Sequence, residues 1–344
     1  LAHFRGKRVR RLAHDAPSYS GVGASGKPGA VHKPDLYPWT RPFIEAMHEG
    51  FWTVKKFTFD SDKTDFELNL TDQERTMVTR CLAAIAQIEV KVKEFWARLG
   101  QNLPHPSMSD LGITMANIEV IHNQAYERLL EVLGLENVFE ENMHVPAIAG
   151  RVGYLTKHMD KVYGDDRKQY VYSLILFTLF VENVSLFSQF YILLWLNRNR
   201  NVLKDTAQQV KYTRNEELLH AQAGMKIINT LREEYPELFD DDLKRKIVHE
   251  CHVALDAESQ LINWMVGDYV GDGLSAPILK SYVAMRLNES LEGIGYEPIF
   301  VINQEHEKET FWMNVGLYAP PKVDFFHSEP TSYTQVDTPD EDAF

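Results

Sequence analysis

The sequence predicts an all-α protein: one large helical bundle set between two flexible ends. Three observations carry this. From Pro38 onward, apolar residues recur at three- and four-residue spacing. Alternating runs suited to strands are few, the best being Val54–Asp60. No Gly/Pro-rich linker divides residues 38–317, so they read as one domain.

The elements follow in chain order. Residues 1–37 hold a basic cluster (Arg5, Lys7, Arg8, Arg10, Arg11) and a Gly/Ser/Pro stretch, which reads as a flexible arm or, alternatively, an Arg-rich transit-like segment. Helices are expected near 39–55, 71–100, 107–134, 144–163, 166–197, 202–234, 237–269 and 276–293. Thr71 with Glu74 three residues on forms a capping box at the start of the second. Residues 171–196 are apolar enough to span a bilayer. They enclose Glu182, however, and an intramembrane carboxylate is costly, so a buried central helix is the better reading. Residues 318–344 turn to Pro, Ser, Thr and Asp, as in a flexible acidic tail.

Composition narrows the function. Of 344 residues, 44% are hydrophobic and 25% charged, as in a globular protein. A net charge of −13 disfavours a nucleic-acid scaffold. The two cysteines, Cys81 and Cys251, exclude a secreted disulfide framework and suit a reducing compartment.

The helical wheel isolates a group of buried polar residues. Glu-x-x-His pairs occur at Glu45/His48, Glu119/His122, Glu141/His144 and Glu217/His220. Such a pair puts an oxygen and a nitrogen on one helical face, yet the motif alone is weak. Relative to Ile118, His122 falls about 40° away, Tyr126 about 80° and Glu119 about 100°, all on or beside the apolar stripe. Glu217 and His220 lie inside the stripe of their own helix. Glu89 falls about 40° from Ile85, within a third stripe, whereas Glu94 faces away. Glu182 lies in the apolar segment. The other two pairs sit in charged or broken segments and read as solvated.

Four helices thus turn Glu89, Glu119, Glu182 and Glu217 inward, together with His122 and His220. Four buried carboxylates cannot all stay ionised without compensation. Two divalent cations would balance them. One Glu from each of two helices and Glu-x-x-His from two others is the ligand pattern of dimetal carboxylate bundles. Oxygen-rich ligation with two imidazoles suits manganese or iron.

With these residues in place, the chain resembles the small, radical-generating subunit of class I ribonucleotide reductase, a ferritin-like dimetal family, from about Phe51 to Asn314. "EVIHNQAY" carries the family's Glu-x-x-His, followed four residues later by its radical tyrosine, here Tyr126. Glu182, Leu186 and Phe190 match its buried lone glutamate and the residues after it. "EELLH" matches its last ligand pair, and "ETFWMNV" its late Phe-rich helix. The resemblance implies that Trp52 relays electrons to the metals and that Glu216, commonly Asp, links this tryptophan to a ligand histidine. It implies that the tail docks on a large subunit with Tyr333 as relay. Glu89 stands where Asp is common. Its pairing with Tyr126 is similar to a dimanganese subclass, which leaves the oxidising equivalent on Tyr126 or on the metals.

What the resemblance implies is a cytoplasmic homodimer with two metal ions per chain (Mn/Mn, Mn/Fe or Fe/Fe). It passes an oxidising equivalent to a large subunit that reduces ribonucleoside diphosphates, and a flavoprotein activase is a possible further partner. No Gly-rich phosphate loop or suitable cysteine pair is present for nucleotide reduction on this chain itself. The competing readings are a ligand-binding dimetal oxidase or desaturase and a metal-storage bundle. The first would not need an acidic tail carrying Tyr333, and storage chains are much shorter and require no tyrosine beside the site.

Overall fold

The computed structural model describes residues 35–86, 89–159 and 166–313. Ten principal helices form these residues: α1 Thr40–Glu49, α2 Asp72–Ala86, α3 Glu89–Ala97, α4 Pro106–Leu133, α5 Pro146–Met159, α6 Arg167–Arg200, α7 Lys204–Glu234, α8 Asp241–Val266, α9 Ala276–Gly293 and α10 Gln304–Thr310. The all-α class holds: among the described residues the only β pairing is an isolated bridge between Gly271 and Leu274. The arm, the tail and Tyr333 lie outside the described residues.

Two expectations need correction. The helix expected over 71–100 is interrupted at Arg98, where a turn separates Glu89–Ala97 from Leu99–Asn102; residues 87 and 88, between α2 and α3, lie outside the described residues. Residues 54–60, the best strand candidate, form no strand. Phe57 and Phe59 pack into the helical core, and the backbone N–H groups of Thr58 and Phe59 donate to the Asp205 carboxylate instead of a neighbouring strand. The capping box is present as read. Thr71 N–H donates to Glu74 Oε2 at 2.9 Å, and Glu74 N–H to Thr71 Oγ1 at 3.2 Å.

Helices α3, α4, α6 and α7 surround the centre. α3 packs along α4, α4 against α7 and α7 along α6. Stacking of Phe95 on Phe177, with centroids 3.7 Å apart, brings α3 against α6. Helix α6 is the apolar segment that could span a membrane by length; its most apolar window is 94% buried inside the protein. Its middle, Phe177–Ser185, is π-helical. Arg286 Nε donates to the Asn183 carbonyl at 3.0 Å there, so a side chain from α9 braces the irregular turn. Gly224 of α7 lets the same segment approach closely. A Cβ at Gly224 would lie 2.5 Å from Thr178 Oγ1 and Cγ2.

The start of α7 is tied to the segment after Trp52 by reciprocal caps. Asp62 accepts from the N–H groups of Asp205 and Thr206, and Asp65 from that of Leu203. Asp205 in turn receives Thr58 and Phe59. Phe59 and Leu203 both adopt left-handed φ, 63° and 55°, and both are fully buried. Packing and capping together hold a conformation that costs such residues free energy. The result fixes Trp52 against α7.

Candidate metal centre

Helix α4 carries Glu119 and His122, one turn apart on its inner face. Helix α7 carries Glu216, Glu217 and His220, and the π segment of α6 carries Glu182. All six are at most 3% exposed. Glu89 opens α3, and its side chain lies outside the described residues.

The two histidines divide the site. His122 Nδ1 lies 3.3 Å from Glu119 Oε2 and 3.2 Å from Glu217 Oε1. His220 Nδ1 lies 2.7 Å from Glu119 Oε1, 3.5 Å from Glu182 Oε2 and 3.8 Å from Glu217 Oε2. Glu119 and Glu217 therefore offer one oxygen to each imidazole, whereas Glu182 stands on the His220 side. The ring centroids are 6.3 Å apart. Ligand atoms of Glu119, Glu182, Glu217 and His220 all lie within 4.8 Å of one another.

These groups fit a metal centre. Glu119 Oε1, His122 Nδ1, Glu182 Oε2 and both His220 nitrogens are buried without a hydrogen bond. Buried polar atoms without partners are costly, and five of them converging here call for cations. The donors are carboxylate oxygen and imidazole nitrogen, the set that suits manganese or iron. Neither cysteine contributes. Both are buried and free, and burial pushes the Cys251 thiol up to about 12.

The charges respond in opposite directions. Burial raises Glu182 well above the usual carboxylate range, and the neighbouring Glu217 adds to this. Glu217 is also buried, but the imidazoles of His122 and His220 beside it outweigh burial and hold it low. Burial alone would depress the two histidines. The carboxylates around them reverse that, with Glu119, Glu216 and Glu217 raising His122 and chiefly Glu119 raising His220. Without metal, protons on the imidazoles perform part of the cations' neutralising role.

A chain of contacts leads outward. Glu216 Oε2 lies 2.7 Å from His122 Nε2, and both Glu216 oxygens accept from Trp52 Nε1 at 3.0 Å. Beyond Trp52, Tyr212 lies 5.8 Å away between ring centroids and is half-buried. Tyr126 is buried one turn beyond His122 on α4. The remaining Glu-x-x-His residues, Glu45, His48, Glu141 and His144, are exposed, as expected of solvated pairs.

Sequence reasoning passed over two aromatic residues. Trp96 of α3 donates from Nε1 to Glu182 Oε1 at 2.6 Å. Its signal was its place seven residues after Glu89, on the same face of α3. Tyr212 carried no signal, because its place beside Trp52 depends on the fold of residues far apart in sequence.

A family model described as "Ribonucleotide reductase, small chain" matches residues 30–308. A probable ribonucleoside-diphosphate reductase small subunit of Invertebrate iridescent virus 3 is 23% identical over 319 residues, covering 88% of this chain and 84% of the viral one. Among solved structures, a putative class I ribonucleotide reductase from Bacillus halodurans aligns with a TM-score of 0.74 at 21% identity, covering 80% of this chain and 99% of its own. The dimanganese(II) NrdF of Streptococcus sanguinis gives 0.67 at 14% identity, covering 84% and 96%. An R2-like ligand-binding oxidase with a Mn/Fe cofactor gives 0.66 at 16% identity, covering 76% and 95%. At these identities the structural likeness shows the shared fold.

Proposed function

This chain belongs to the ribonucleotide reductase small-chain family and is a small subunit of ribonucleoside-diphosphate reductase; from that premise we propose which of its residues carry the work. Glu89, Glu119, His122, Glu182, Glu217 and His220 hold two metal ions, manganese or iron, with Glu119 and Glu217 serving both. Manganese is supported by the dimanganese and Mn/Fe relatives of the same fold. The bound ions supply the one-electron oxidising power that the side chains lack.

The observation that carries the reading is the Trp52–Glu216–His122 chain. With Nδ1 turned to the carboxylates, His122 keeps its proton on Nε2 and donates it to Glu216. Glu216 is thus held between two N–H donors. When Trp52 gives up an electron, its Nε1 proton can pass along the existing bond to Glu216, and it returns when the indole is reduced again. Charge never accumulates on the buried ring. Tyr126, enclosed one turn beyond His122, stores the oxidising equivalent, and burial keeps water and reductants away from it.

The chain works as a cytoplasmic homodimer, on this reading, and reaches the large subunit through residues 318–344, with Tyr333 as a further relay. A flavoprotein serves as activase if the ions are both manganese. These assignments rest on the family.

The oxidase reading has one observation in its favour. A pocket of about 640 Å³ is lined in part by Asn183, Leu218 and Ala221, each next in sequence to a proposed ligand, though no proposed ligand lines it. Its lining also includes Arg286, Glu289, Glu292 and Glu307, charges unsuited to a fatty chain. The test is Tyr126→Phe, which removes only the hydroxyl. Loaded with metal and oxidant, the variant should bind two ions, lose the organic radical signal in electron paramagnetic resonance and support no nucleotide reduction. A high-valent metal signal with substantial reduction would move the stored equivalent to the ions. Turnover of a small apolar substrate without any large subunit would favour the oxidase.

A further inference from the structure

Among the proposed ligands whose side chains are described, Glu182 is the one whose carboxylate is grasped directly by an indole. Trp96 is fully buried, so its N–H must find its acceptor inside the protein. It finds Glu182 Oε1 at 2.6 Å, a short hydrogen bond. The other oxygen, Oε2, makes no hydrogen bond and faces His220 Nδ1 at 3.5 Å. The two oxygens of one carboxylate are therefore unequal: one is spoken for and the other is open.

The indole itself cannot easily turn away. Phe95 and Phe177 meet its ring edge to face at centroid distances of 5.1 and 5.5 Å. Phe177 is also the first residue of the π segment that carries Glu182. One aromatic cluster thus fixes the donor on α3 and the start of the segment that presents the acceptor.

We propose that Trp96 is a positioning residue for the metal centre: its N–H holds Glu182 Oε1 so that this glutamate binds metal through Oε2 alone. The inference rests on the reading of Glu182 as a ligand. Without the N–H, the carboxylate is free to turn about its last torsion and to present both oxygens or neither. Groups that orient metal ligands in this way typically contribute about 10–100-fold to metal affinity.

The test removes the hydrogen bond and keeps the shape. Trp96 is replaced by benzothienylalanine, in which sulfur stands where the indole has N–H. Ile247→Val, at a buried position on α8 outside this cluster, serves as the packing control and Glu182→Ala as the ligand control. Each metal-free protein is titrated with Co(II) against a competing chelator, and the visible ligand-field bands are recorded. The benzothienyl protein should still take two Co(II) per chain, with affinity lower by about 10–100-fold and altered bands. Ile247→Val should lower the melting temperature and leave affinity and bands as in the parent. Parent-like affinity and bands in the benzothienyl protein would overturn the role of Trp96, and so would equal changes in Ile247→Val. If Glu182→Ala sheds metal in that case, its assignment as a ligand stands and only the Trp96 inference falls. If Glu182→Ala retains two ions with unchanged bands, both fall together.

Discussion

Glu216 joins Trp52 to His122: it accepts the indole N–H at 3.0 Å and meets the imidazole Nε2 at 2.7 Å, all three groups being at most 3% exposed. The residue beside it, Glu217, faces the interior of the centre. Two adjacent glutamates on one helix therefore face different ways, one toward the cluster of carboxylates and imidazoles and the other toward Trp52.

Trp52→Phe should leave metal loading intact, because the indole N–H reaches the proposed ligands only through Glu216 and phenylalanine keeps a ring beside His122. It should abolish nucleotide reduction with the large subunit. Metal analysis beside a turnover assay checks both halves. Normal turnover by the variant would remove Trp52 from the path.

The raised pKa of both histidines gives the metal-free protein a distinctive pH dependence. A histidine whose folded pKa lies above its unfolded value contributes stability that is complete below the unfolded pKa. That contribution is lost as pH rises through the folded pKa. Glu182, also raised, acts in the same direction. The metal-free protein should therefore lose stability as pH rises above neutral, while the loaded protein is spared. Loading near pH 7 should also release protons as metal displaces them from the imidazoles. Denaturant melts across pH and proton release in weakly buffered solution measure the two effects.

Gly224→Ala should destabilise the fold, since the new methyl meets the β-branched Thr178 at 2.5 Å where the π segment presses on α7. Overpacking of this kind costs about 1–3 kcal/mol. Gly153→Ala is the control, because nothing lies within 4 Å of its added Cβ. Equal melting behaviour of the two variants would contradict the close approach of α6 and α7.

Much of this architecture can be read from spacing. Glu119, His122, Glu217 and His220 are legible because three residues nearly complete a helical turn, and their neighbours Ile118, Leu129, Ile227 and Ile228 mark the inward face. Glu182 is legible as a carboxylate with no reason to sit in an apolar helix. The π turn around it is not legible, since it depends on Arg286, about a hundred residues away, bracing the Asn183 carbonyl. The turn at Arg98 is hidden by an unbroken apolar stripe. Phe57 and Phe59 imitate a strand because alternation suits any extended segment laid over a core, and their backbone partner, Asp205, is remote in sequence.

Deleting residues 318–344 should leave metal content unchanged and abolish turnover with the large subunit. The acidic, polar composition of this segment, with Tyr333 within it, suits a docking tail and no part of the metal centre. A tail peptide should compete with the intact chain for the large subunit. Undiminished turnover by the truncated chain would refute the docking role.

The central claim is that buried carboxylates and imidazoles from four helices hold two metal ions, with Glu119 facing both histidines. Its most direct test is the metal content of the purified chain and of Glu119→Ala after loading with manganese or iron and removal of excess. The account predicts two ions per chain in the parent and clearly fewer in the variant, with both chains still helical. Two ions retained by Glu119→Ala, or no more than one in the parent, would contradict it.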